Sequence, residues 1–407
     1  SVTKKTNTVV VGGGQAGLAM SAHLRDFGID HLVIEKERIA ERWRSARWDS
    51  LVMNGPAWHD RFPAMVFDDW HPDSFPGKEA VVTYFENFAK KINAPIHCGE
   101  EVTNVSQIRD GDFIVESNRG LITAQNIVAA TGPFQTPVIP SIIADDCVHQ
   151  IHSSDYRKPE QLDDGAVLVV GAGSSGSQIA DELLRAGRKV YLSIGPHDRP
   201  PRSYRGKDFV WWLGKLGKWQ MKTPPIGKDH VTIAVSGAYG GKTVDFRKFA
   251  SRGMVLLGMT ETYENGVITF AGDLKQNIAD GDANYLGLLA EADEYIRAYD
   301  LDFPAEEEAK ILMPDPECLA KPIRQLELEE AGIRTIVWAT GYRQDFSWLK
   351  ADVFDDQNQP VHKKGVTNVN GVYFLGLPWL TMRGSSFIWG VWEDAKYLAG
   401  YIAKSGS

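Results

Sequence analysis

Two glycine-rich turns, each set between a β-branched run and a helix-like stretch, constrain this chain more than any other feature. The first is Gly12-Gly13-Gly14-Gln15-Ala16-Gly17, directly after Asn7 to Val11 and directly before Leu18 to Phe27, where apolar residues recur at helical spacing. His31 to Ile34 reads as the next strand. The same order returns as Ala166 to Val170, the turn Gly171-Ala172-Gly173-Ser174-Ser175-Gly176, the helical stretch Ile179 to Ala186 and the strand Lys189 to Leu192. Gly12 and Gly171 stand 159 residues apart, and a chain of 407 residues suits two or three domains. The spacing predicts an α/β fold with two dinucleotide-binding, Rossmann-like domains.

In a G-x-G-x-x-G turn the first glycine permits the tight bend, the second lets the backbone approach a pyrophosphate, and the third lets helix and strand pack closely. The helix N-terminus then faces the anion with free N–H groups and the positive end of its dipole. Glu35 ends the strand after the first turn, where a carboxylate accepts hydrogen bonds from ribose hydroxyls. Ser193 stands at the matching place after the second, followed by Arg199, Arg202 and Arg205. A carboxylate would repel a 2′-phosphate, whereas a hydroxyl with nearby guanidinium groups holds one, so Ser193, Arg199 and Arg202 favour NADPH over NADH. The competing readings are glycines that serve packing alone and arginines that form a solvated basic face.

Asp112 to Glu116 and Leu121 to Ala129 read as strands joined by a hairpin turn at Ser117-Asn118-Arg119-Gly120. Arg199 to Gly241 shows no clean periodicity and reads as an irregular lid or substrate loop. Arg334 to Ala339 and Gly371 to Leu375 are late strands, and Asp394 to Ala403 is an amphipathic helix. A formal net charge of -9 argues against nucleic acid or anionic lipid as partners. Cys98, Cys147 and Cys318 are too scattered for a disulfide framework, a redox-active pair or a metal cluster. With no apolar signal segment before the first strand and no apolar run long enough to span a membrane, a cytoplasmic protein is expected.

Several segments resemble the class B flavin-dependent monooxygenases. Ala339-Thr340-Gly341-Tyr342 is similar to that group's signature on the strand returning from the NADPH domain, and Ala130-Thr131-Gly132 to its earlier hinge. Met53-Asn54-Gly55-Pro56 resembles the flavin-side segment, and Trp43 the tryptophan beside FAD. The resemblance implies that residues 1–158 and 326–407 form a discontinuous FAD-binding domain. Residues 159–325 would then be an inserted NADPH-binding domain, with the lid-like insertion at about 199–245. It places FAD on Gly12, Gly14, Gln15, Ala16, Gly17, Glu35, Lys36, Trp43, Arg44, Val102, Thr131 and Gly132. NADPH falls to Gly171, Gly173, Ser174, Ser175, Gly176, Ser193, Arg199, Arg202, Thr340 and Gly341.

The implied activity is transfer of one oxygen atom from O2, through a C4a-(hydro)peroxyflavin, to the nitrogen, sulfur or carbon of a small apolar or aromatic substrate. Asn54 is the catalytic candidate, with a plain turn residue as its competing reading. The alternative activity is an NADPH-dependent flavoprotein oxidase or reductase; a homodimer is compatible with either. One departure from the group stands out. His152-Ser153-Ser154-Asp155-Tyr156 matches half of a fingerprint whose Phe and Gly positions hold Asp146 and Val148 here, which speaks against ketone oxygenation and leaves His152 as a brace at the domain junction. Trp58, Trp211, Trp212, Trp379, Trp389, Trp392 and Arg383 are candidates to border the substrate.

Overall fold

The computed structural model describes residues 3–144, 148–225 and 231–406, so Asp146 and Cys147 lie outside the described residues. Its first unit starts as the sequence dictates. β1 (Thr3–Val11) runs into the glycine turn and α1 (Gln15–Asp26), and β2 (His31–Glu35) returns beside it in parallel. α2 (Lys78–Lys91) leads to β3 (Ile96–Cys98), also parallel to β2. A meander follows: β4 (Val102–Arg109), β5 (Asp112–Ser117) and β6 (Gly120–Ala129), which returns parallel to β1.

The second unit is a fully parallel sheet. It is built from β7 (His149–His152), β8 (Ala166–Val170), β9 (Val190–Ser193), β10 (Val255–Leu257) and β11 (Ile333–Trp338), in the spatial order β10-β9-β8-β11-β7. α3 (Ser174–Arg185) follows the second glycine turn. β8 is buried along its whole length, and its pleat sorts the side chains. Val167 and Val169 join Ile179, Ala180 and Leu183 of α3 on one face, while Leu168 and Val170 join Ile336 and Trp338 on the other. That second face is covered by a small antiparallel sheet of Thr260–Glu264, Val267–Phe270 and Gln325–Glu327 instead of by a helix.

The chain then returns to the first sheet. β12 (Leu349–Lys350) pairs with β4, and β13 (Val372–Phe374) pairs with β6 on the side away from β1. α4 (Ile388–Ser405) packs over α1 and starts six residues before the stretch its amphipathic pattern marks. Strand membership also moves the domain crossings: β7 and β11 belong to the second sheet, so the second unit begins before 159 and ends after 325. Hydrogen bonding decides this, since β11 lies between β8 and β7 and cannot be divided from them.

The 199–245 segment is not uniformly irregular. It contains the helix Phe209–Lys215, capped by Asp208, whose Trp212 is fully buried against Leu289, Ala292 and Ile296. The latter three project from the 25-residue helix Leu274–Ala298. Phe374 is fully buried in the first core, in edge contact with Phe346 and Phe354. Replacing Phe374 by Ala is expected to lower the chemical-denaturation stability of that unit by about 3–5 kcal/mol through the cavity it leaves; a change below about 1 kcal/mol would mean that this end of the core collapses freely.

Candidate functional site

The two turns share one construction. Gly12 has φ +114° and Gly171 φ +105°, values that side-chain-bearing residues rarely adopt. A Cβ at Gly17 would lie 1.7 Å from the Gly12 carbonyl oxygen, and one at Gly176 would lie 1.7 Å from that of Gly171. Each helix start is therefore pressed onto the strand end before it. The turns differ at the middle glycine. Among the described residues nothing lies within 4 Å of a Cβ built on Gly14, whereas one on Gly173 would meet the Thr232 Cβ at 3.3 Å.

Around the first turn, Glu35 accepts from the backbone N–H of Gly13 at 2.8 Å and of Glu37 at 2.7 Å. Burial raises its pKa above the ordinary value, and these hydrogen bonds only partly offset that. Gln15 donates to the Ser386 carbonyl, and Ala16 packs under Gly376, so the loop before α4 closes over the helix start. Lys36 is exposed. Trp43 is half-buried between the cores of both units, and Arg44 pairs with Glu86 at 3.0 Å. Val102 is buried at the start of β4.

The two crossings between units are laced together. Val138 N–H and His152 Nε2 both bond the Gly341 carbonyl, Thr340 Oγ1 donates to the Val138 carbonyl, and Gln135 ties Thr131 to the Gly132 carbonyl. Burial lowers the His152 pKa, and the neutral ring stands edge-on to Tyr342 at 5.1 Å, which makes it a brace.

Asn54 sits where the units meet. Its Oδ1 accepts from Gln178 of α3 at 2.9 Å, its carbonyl accepts from Arg202 at 2.6 Å, and its Nδ2 has no partner among the described residues. The Asp60 carboxylate holds the turn by accepting from Gly55 N–H, and also bonds His59. The His59 ring stacks on Trp219 at 5.1 Å, with Trp389 farther out at 6.4 Å and Phe387 edge-on to Trp219. The Trp219 and Met221 carbonyls accept from the backbone N–H groups of Gly384 and Arg383. One continuous wall thus runs from Gln15 through 383–389 and 219–221 to Asn54. Of the other tryptophans, Trp58 touches this wall and Trp379 lies under the Arg383 guanidinium. Trp211, Trp212 and Trp392 instead belong to cores.

Arg199 and Arg202, expected as 2′-phosphate ligands, are engaged by partners within the chain. Arg199 is 5% exposed, paired with Asp282 at 3.0 Å and set over the Tyr285 ring. Arg202 grips Asp208 with two hydrogen bonds, donates to the carbonyls of Asn54 and Ser236, and lies between Phe75 and Phe209. Arg205 is paired with Asp293. Buried guanidinium groups need such partners, and these have them within the chain. Ser193 is buried and bonded to the Gly258 carbonyl and Thr260, while Ser175 is half-buried beside the turn. Sequence reasoning did not find Gln178, His59, Asp60 or Trp219; the i, i+4 step from Ser174 to Gln178 on one helix face was the available signal.

Two Rossmann-like units meeting at one wall place two dinucleotide-type turns on a shared surface. Residues 9–213, half of the chain, match the family described as pyridine nucleotide-disulphide oxidoreductase, and the chain belongs to it. It is 35% identical over 401 residues to an uncharacterized CzcO-like oxidoreductase of Geobacillus kaustophilus, covering 97% of this chain and 98% of the relative. It is 24% identical over 404 residues to an indole-3-pyruvate monooxygenase of Oryza sativa subsp. japonica, covering 93% and 88% of the two chains. The fold matches that of a flavin-containing monooxygenase from Stenotrophomonas maltophilia, with TM-score 0.68 at 19% identity over 99% of this chain and 100% of that one. No helix among the described residues is long and apolar enough to cross a membrane.

The pairing around Arg199 is testable. Burial alone raises the Asp282 carboxyl, but hydrogen bonds from Arg247 and Arg199 outweigh it and hold the pKa below the ordinary value. Its stabilising contribution is therefore present above the ordinary carboxylate range, at about pH 4, and is lost as pH falls through the lower folded value. Asp282→Ala leaves two guanidinium groups facing each other and should cost on the order of 3 kcal/mol at neutral pH. The difference from wild type should shrink in acid denaturation; a gap that persists at pH 2 would contradict the assignment.

Proposed function

We propose that the protein is a FAD-dependent, NADPH-consuming monooxygenase that places one oxygen atom from O2 into a small aromatic or apolar substrate. The observation that carries this reading is Asn54, held on one side by the helix of the second glycine turn and joined on the other, through a continuous wall, to the first. The first turn fits a dinucleotide: its middle glycine faces open space and its ribose-side carboxylate is in place. Gly12, Gly14, Gly17 and Glu35 would hold FAD, with Gln15 and Ala16 seating the loop over it. When bound, FAD supplies the electron-transfer and oxygen-activating chemistry that side chains lack.

The chain's own residues supply position and shelter. Gln178 and Arg202 fix both carbonyl oxygens of Asn54, leaving its amide N–H2 group free to donate. The Asp60–His59 pair locks the turn, and the rings of Trp219, Trp389 and Phe387 line the wall beside it. These aromatic walls, and a relative named for its action on an indole compound, support an aromatic substrate. The second turn would take the nicotinamide coenzyme. Ser193 in place of a carboxylate admits NADPH, but the arginines that would impose a strong preference are engaged elsewhere.

Replacing Asn54 by Leu removes the free amide donor and leaves both glycine turns intact. NADPH-driven flavin reduction should stay within about twofold of wild type. Oxygenated product per NADPH, measured with a panel of amines, sulfides, indoles and ketones, should fall on the order of tenfold or more, with hydrogen peroxide rising to match. Stoichiometric peroxide and no oxygenated product from the wild type across that panel would establish the oxidase or reductase alternative instead.

A further inference from the structure

The unequal surroundings of the two middle glycines point to a property of the second turn. The space in front of Gly14 is open, while that in front of Gly173 holds the Thr232 side chain, with Cβ, Oγ1 and Cγ2 all within 3.8 Å of the Cβ position. The segment 231–236 is fastened there. Ser174 Oγ donates to the Ile233 carbonyl at 2.8 Å and accepts from Val235 N–H at 3.2 Å. Gln178 donates to the Val235 carbonyl at 2.8 Å. Thr232–Ile233 pairs in parallel with His197–Asp198.

The fastening is uneven. Ala234 is fully buried, and the Ser236 carbonyl is bonded to Arg202, so that end is anchored in the core. Thr232 is exposed, as is Ile233 at 39%. An apolar side chain left in water on a segment held by a few hydrogen bonds is cheaply moved. The middle glycine exists so that a pyrophosphate can come close to the backbone. Thr232 stands on that approach.

We propose that Thr232–Ile233 is an internal competitor of the nicotinamide coenzyme, which binds at the second turn only by displacing it from Gly173 and Ser174. This rests on the assignment of the coenzyme to the second turn. The strap lowers the fraction of binding-competent molecules, and apparent affinity falls by that fraction. FAD at the first turn meets no such competitor.

The test uses full-length, FAD-loaded protein with NADP+ as the probe, titrated calorimetrically against wild type, Thr232→Gly and Thr232→Val. Thr232→Gly empties the approach and should tighten binding about three- to tenfold, whereas Thr232→Val keeps the bulk and should stay within about twofold. In hydrogen exchange on the wild type, NADP+ should speed exchange of the Val235 amide, which donates to Ser174 Oγ, and leave that of the anchored Ala234 amide unchanged. Wild-type binding with an unchanged or weaker Thr232→Gly affinity, or slowed exchange of the Val235 amide, would overturn the strap while leaving the oxidoreductase reading in place. Failure of both wild type and Thr232→Gly to bind NADP+ at millimolar concentration, with FAD still bound, would overturn the strap and the coenzyme assignment together.

Discussion

The structure depends on two close approaches of backbone to backbone, Gly17 on Gly12 and Gly176 on Gly171. Each sets the N-terminus of a helix against the carboxyl end of a parallel strand, and each tolerates no side chain. The anion-binding groups of the two turns, the free N–H groups of α1 and α3, are a consequence of that packing. So is the position of Glu35 and of Ser193, because β1–β2 and β8–β9 are in parallel register beside the turns.

A second constraint joins the two units. Arg202 is nearly inaccessible to solvent and holds four acceptors on three segments: the Asp208 carboxylate, the Asn54 carbonyl and the Ser236 carbonyl. A buried guanidinium must be saturated in this way. Saturating it ties the Asn54 turn, the base of the 231–236 segment and the helix Phe209–Lys215 to one point. The irregular insertion is thereby made part of the wall at Asn54 instead of a free lid.

Much of this was legible in the chain. The βαβ units showed because β-branched runs, glycine turns and helical spacing coincide at 7–35 and 166–193. The segment around Asn54 stood out because it is local in sequence, and the fold sets it where the two units meet. The domain crossings were misplaced because the pairing of β11 with both β7 and β8 is non-local and leaves no periodic signal. The partners of Arg199 and Arg202 were hidden for a related reason: proximity in sequence to Ser193 says nothing about Asp282 or Asp208, which the fold brings in from the helix Leu274–Ala298 and from the turn before Phe209. The cover over Gly173 depends on a contact across 59 residues, which no turn motif encodes.

The central claim is that the first glycine turn holds FAD by letting its pyrophosphate approach the backbone at Gly14. Flavin content after purification of wild type and Gly14→Val tests it most directly. Because none of the described residues occupies the space in front of Gly14, the variant should keep the wild-type circular dichroism. The account predicts about one FAD per wild-type chain and none in the folded variant. A folded Gly14→Val protein that retains FAD like the wild type, or a colourless wild type that cannot be reconstituted with FAD, would contradict it.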